Sequence, residues 1–175
     1  MLTIHQEIVK TAYIFLGQEE IEGNMGFVDD EFEALMEATG WEEGQAWCAY
    51  FVELVWRYAY ALQNSFIEAR LRELFHAGAV KTFLNFKNKS HFPISRQPLP
   101  GAIAIWQTYR NGKPHWTGHA GVVLVGRDAT FDTIEGNTNN DGSREGKKSC
   151  KKIRTYSFSE KNGLRLLGFI NPIEV

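Results

Sequence analysis

The sequence predicts an α+β fold in which N-terminal helices pack on a C-terminal antiparallel β-sheet. Three observations predict it. In the first half of the 175 residues, apolar side chains recur at helical spacing. In the second half they fall into short β-rich runs separated by turn signals. The polar, proline-containing stretch from Lys87 to Pro100 marks the switch between the two periods.

Taken in order, Ile4, Ile8, Val9, Ala12, Phe15 and Leu16 predict an amphipathic helix ending near Gly17. After a loop with Gly23, Asn24 and Gly26, residues Asp29 and Asp30 precede Phe32, Leu35 and Met36. This predicts a short helix, stopped at Gly40, with acidic residues at its positive end. Ala46 to Gln63 predicts the strongest helix, with Trp47, Phe51, Leu54, Val55, Tyr58 and Leu62 on one face and Glu53 and Arg57 facing out. Ser65 to Glu68 reads as a capping box opening a further helix that ends near Gly78. Strands are expected at Ala102 to Gln107, Ala120 to Val125, Phe131 to Glu135, Ile153 to Phe158 and Leu166 to Ile170. Turns are expected at Asn111-Gly112, Gly126-Arg127-Asp128 and Asn162-Gly163.

The length suits one domain spanning residues 1–175, and no repeat or linker divides it. A hydrophobic fraction of 43% and a charged fraction of 23% exclude a disordered or collagen-like chain. A net charge of -2 argues against a dedicated nucleic-acid binder. Two cysteines cannot form a disulfide framework, and no CxxC cluster suggests structural zinc. No apolar run approaches the ~20 residues of a membrane helix, so no membrane insertion is expected. The N-terminus lacks a basic region followed by an unbroken apolar stretch, so no signal peptide is expected.

With so few cysteines, each needs an explanation. Cys48 opens the strongest helix, where the positive end of the dipole favours thiolate. Burial as a small hydrophobe is the competing reading. His119 sits at the mouth of the apolar run Ala120 to Val125, flanked by small residues, rigid yet approachable as a general base must be. His115 lies nearby in a polar segment, and His5, His76 and His91 read as surface residues. An antiparallel hairpin turning at Gly126 to Asp128 returns Glu135 or Asn137 beside His119, where either could fix the imidazole tautomer.

These residues carry a resemblance. Trp47-Cys48-Ala49-Tyr50-Phe51-Val52, the Pro100-Gly101 turn into Ala102 to Trp106, Gly118-His119-Ala120-Gly121, and Ile134-Glu135-Gly136-Asn137-Thr138 resemble the CHAP family. This is the group of cysteine- and histidine-dependent amidohydrolases/peptidases among the NlpC-like, papain-related cell-wall hydrolases. The resemblance implies a papain-like fold with the nucleophile at a helix N-terminus. It implies Cys48 as nucleophile, His119 as base, Glu135 as the group orienting it, and Asn137 as a further polar member. It also implies cleavage of an amide bond in peptidoglycan, as an N-acetylmuramoyl-L-alanine amidase or a peptide endopeptidase, through a thioester. Where the family usually carries an acidic residue after the Pro-Gly turn, this chain has Ala102. Asp29 and Asp30 are too sparse for a calcium loop, so neither metal nor cofactor is expected. A papain-like protease or acyltransferase on protein substrates, and a non-catalytic wall-binding domain, are the alternatives.

Trp47, Trp106 and Trp116 lie beside the site segments and are candidates for binding a glycan-peptide substrate, with Tyr50 and Asn24. Core packing competes for Trp47, whereas Trp116 is the better groove residue. The backbone N–H of Cys48, and secondarily the side chain of Gln45, are the expected oxyanion donors. Arg144, Lys147, Lys148, Lys151, Lys152 and Arg154 form a basic run read as a solvated hairpin tip, with Cys150 inside it as a free, non-catalytic thiol. A monomer is expected, with an immunity or delivery protein as a conceivable partner. Without a signal peptide, phage-type release, secretion-system delivery or trimming of a secreted precursor would bring such an enzyme to the wall.

Overall fold

The computed structural model describes residues 2–138 and 146–174. Of the expected basic run, Arg144 lies outside them. The helices are α1 (Ile4–Ile14), α2 (Asp30–Glu37), α3 (Cys48–Ala61), α4 (Ser65–Leu74) and α5 (Ala79–Lys89). The strands are β1 (Ile94–Ser95), β2 (Ile103–Arg110), β3 (Lys113–Gly126), β4 (Thr130–Thr138), β5 (Lys148–Thr155) and β6 (Leu164–Ile170). They form one sheet in the order β1-β6-β2-β3-β4-β5, every pairing antiparallel. The chain thus has the expected α+β fold, with helices first and the antiparallel sheet second.

Local chemistry explains the boundaries. Asp29 caps α2 by accepting the N–H groups of Glu31 and Phe32, each at 3.0 Å. Asn64, not Ser65, caps α4, accepting from Phe66 and Ile67. That helix stops at Leu74, and Gly78, expected near its end, instead caps the unforeseen α5. Asn111 and Gly112 both take positive φ, as do Asn162 and Gly163, as tight hairpin turns require.

The buried face of α3 is broader than its apolar spacing predicts. Val52, Val55, Trp56 and Ala59 are fully buried, whereas Tyr58 and Leu62 are exposed. Glu53 and Arg57, expected to face out, are covered by α4, where Arg57 bridges Glu53 and Glu68 at 2.9 Å each. Burial of Glu53 outweighs its ion pair and raises its carboxyl to about 7.

The sheet carries apolar side chains on both faces. Ile103, Ile105, Ala120, Val122 and Ile134 pack with the helices, while Ala102, Ala104, Trp106, Val123, Phe131, Leu166 and Phe169 form a second, smaller core. From Lys148 to Arg154 the basic run is not a hairpin tip but part of strand β5, at the edge of the sheet. Lysines on such an edge discourage pairing with another chain. The strand expected at Ile153 to Phe158 begins five positions earlier, at Lys148.

Candidate active site

Cys48 is the first residue of α3, and the N-cap Trp47 supplies no side-chain cap. The first-turn N–H groups therefore have no intrahelical partner. The thiol lines an open, largely apolar groove of about 610 Å³. Gln45, Tyr50, Val80, Leu84 and Trp116 line it as well. Among the described residues no helix is long and apolar enough to cross a membrane, and no group of three or more His, Cys, Asp or Glu could hold a metal ion.

β3 delivers His119 from mid-strand, not from the strand's mouth, because β3 begins already at Lys113. The ladder sets His119 opposite Trp106 on β2, with the rings 5.8 Å apart. His119 is 3% exposed, and its Nε2 lies 2.7 Å from Glu135 Oε2. Cys48 also interacts with the imidazole. Burial alone would lower the imidazole pKa, but the Cys48 and Glu135 charges outweigh it and lift it to about 9.

Glu135 is fully buried on β4. Its Oε1 accepts the Thr133 hydroxyl at 2.6 Å and Arg154 Nε at 2.7 Å, and its Oε2 accepts Arg154 Nη2 as well as facing His119. Burial opposes ionisation, yet the paired Arg154 and His119 hold the carboxyl far below its usual range. The glycine two residues after His119 makes this geometry possible. A Cβ at Gly121 would stand 2.6 Å from Glu135 Cγ, so the carboxylate reaches the imidazole only across a bare backbone.

The next two residues of β4 anchor the nucleophile. A Cβ at Gly136 would meet the Trp47 ring at 2.6 Å, so α3 approaches the strand closely only because a glycine is there. Asn137 does not reach His119. It sits at φ 55, accepts the Trp47 N–H at Oδ1 (2.9 Å) and donates to the Gly146 carbonyl (2.9 Å). Of the two residues expected to orient His119, the contact belongs to Glu135.

The remaining expected residues divide. Trp116 belongs to β3, not a loop, and is 75% exposed on the groove. Tyr50 also lines the groove but is mostly buried, its hydroxyl donating to Gln45 Oε1 at 2.7 Å. Trp47 and Trp106 are corrections. Both are buried, Trp47 among Phe27, Phe32 and Phe51, and Trp106 against Phe131. Asn24 is also a correction, since it stands in a turn at φ 57, holds Gly44 through its carbonyl and is not part of the groove wall. Cys150 is a free, buried thiol opposite Glu135 in the ladder, and burial raises its pKa.

Sequence reasoning missed Arg154 as a partner of Glu135, and it missed the groove wall from His76 to Leu84. His76 is exposed as expected, yet it lies on that wall. The only signal for Arg154 was its place in a basic run on the expected last hairpin. The wall follows from α5, whose short apolar pattern was not recognised.

A model of the CHAP domain family matches residues 40–137, more than half of the chain. No curated protein and no solved structure gives a significant match. The matched segment contains Cys48, His119, Glu135 and Asn137 and ends before β5.

Proposed function

The chain belongs to the CHAP domain family, and from that premise we propose that it hydrolyses an amide bond of peptidoglycan through a thioester on Cys48. The observation that carries this reading is His119 held between Cys48 and a buried, ionised Glu135, beside an open groove. With Nε2 engaged by Glu135, the other ring nitrogen is left for the thiol and the leaving group.

The thiolate of Cys48 attacks the amide carbonyl. The developing oxyanion is met by the Cys48 N–H at the helix start and by the Gln45 amide, whose oxygen already accepts from Tyr50. Imidazolium gives its proton to the departing amine, leaving a thioester and neutral His119. His119 then takes a proton from water as that water attacks the thioester, which releases a carboxylic acid and regenerates the thiol. The groove suits a glycan-peptide strand. It is open, the exposed Trp116 ring offers a stacking face, and Lys81 sets a cation on the wall opposite free carboxylates.

The test is digestion of purified peptidoglycan with the wild type and with Cys48→Ala, followed by mass spectrometry of the released fragments. Fragments released by the wild type alone are expected, and their masses distinguish amidase from endopeptidase cleavage. Equal release by both proteins, or none by either, rejects the proposal.

A further inference from the structure

Arg154 lies beyond the segment that the family model matches, on the edge strand β5. Its side chain is 24% exposed and its guanidinium carbon sits 5.2 Å from the centre of the Trp106 ring. The guanidinium fork takes both oxygens of Glu135. A carboxylate offers about four acceptor sites, and here Thr133, His119 and the two Arg154 nitrogens fill them, two on each oxygen. Glu135 thus has one orientation in which every site is used.

The charges alternate along the same line. Arg154 and Glu135 form one pair, His119 and Cys48 the other. With imidazolium and thiolate present, the four groups sum to zero. Without Arg154 the same state would place a net negative charge among residues that are 0% and 3% exposed. Unbalanced buried charge is costly, so beside an imidazolium the thiol of that site would keep its proton, the form in which Glu135 and His119 alone balance. The other groups facing Glu135 supply no second cation, since Thr133 is a neutral hydroxyl and Cys150, across the ladder, a buried thiol.

We propose that Arg154 is a positioning residue for the reaction, which locks Glu135 toward His119 and offsets its charge, so that a thiolate–imidazolium pair leaves the buried site neutral. The proposal rests on the Cys48–His119 reading but not on peptidoglycan as substrate.

The experiment measures alkylation of Cys48 by iodoacetamide across the acidic to mildly alkaline range, in a Cys150→Ala background. Arg154→Gln should slow alkylation roughly tenfold or more on the acidic side, corresponding to about one pK unit, while the alkaline plateau is unchanged. Arg154→Lys, which keeps the charge but loses the fork, should fall between them. In a Glu135→Gln background, Arg154→Gln should add nothing further. An unchanged profile in Arg154→Gln, or the same loss without Glu135, overturns the proposal. If Arg154→Gln does not fold, Arg154→Lys decides: a wild-type profile overturns the need for the fork, and an acid-side loss supports it. Peptidoglycan digestion with the same proteins separates the two readings. A wild type that shows the alkylation profile yet digests no wall rejects the substrate and leaves the role of Arg154 standing.

Discussion

The side-chain oxygen of Asn137 accepts the backbone N–H of Trp47 at 2.9 Å and so ties the end of β4 to the residue that introduces Cys48. Catalytic sites lose rate steeply when a reacting atom moves by about an ångström. Asn137→Ala should therefore cost roughly 1–3 kcal/mol of stability, because it leaves a buried N–H unpaired. It should also lower kcat more than it raises KM. Urea unfolding and steady-state kinetics measure the two effects, and a variant with wild-type kcat would refute the tie.

Gly121 permits the Glu135–His119 contact, since a Cβ there would meet Glu135 Cγ at 2.6 Å. Gly121→Ala should displace the carboxylate, reduce activity at least tenfold and leave most of the helical signal intact, the scale on which supporting contacts of reactive groups usually act. Activity assayed alongside circular dichroism tests this. Full activity would mean that β4 shifts without disturbing the pair.

The raised pKa of His119 sets a sign for stability. Its folded value of about 9 exceeds the ordinary 6.5, so its stabilising contribution is complete below 6.5 and is lost as pH rises through 9. Glu135 acts in the opposite direction. Its depressed pKa stabilises the fold above the usual carboxyl value, and that contribution is lost only on strong acidification. Wild-type stability should fall between neutral and alkaline pH, and Cys48→Ala should flatten the fall by removing one of the two side chains that raise the imidazole pKa. Parallel pH series of urea midpoints provide the comparison, and identical slopes would contradict it.

Trp116 is 75% exposed and contacts His115 with ring centres 5.4 Å apart. Trp116→Ala should change stability by less than about 0.5 kcal/mol, as exposed substitutions usually do. It should nevertheless weaken binding to insoluble peptidoglycan. Thermal melting and a pelleting assay with Cys48→Ala as the parent would show this, and undiminished pelleting would remove Trp116 from the binding surface.

Much of the fold and site was legible because it depends on local pattern. Helical spacing marked α1 to α3, the Asn-Gly pairs marked two tight turns, and the Gly126 turn brought Glu135 back to His119. What was hidden depends on packing between distant segments. Glu53 and Arg57 look solvated in sequence, and only the overlying α4 buries them. Nothing local distinguishes Arg154 from the lysines around it, because its partner is nineteen positions earlier across the β4–β5 ladder. Trp47 and Trp106 flank the reactive residues in sequence, yet their rings turn into the two cores. The roles of Glu135 and Asn137 separate only through side-chain direction, since both leave the same strand end.

The strand order has a temporal consequence. β6 follows every residue of the proposed site in the chain, yet it occupies an interior place between β1 and β2. β2 backs His119 through Trp106, and its other edge is hydrogen-bonded only by β6. A chain emerging from the ribosome therefore carries Cys48, His119, Glu135 and Arg154 before the sheet that aligns them is closed. Such non-local pairing is intrinsically slow. Closure of the sheet on that side of β2 therefore waits for β6, which lies later in the chain than every residue of the proposed site.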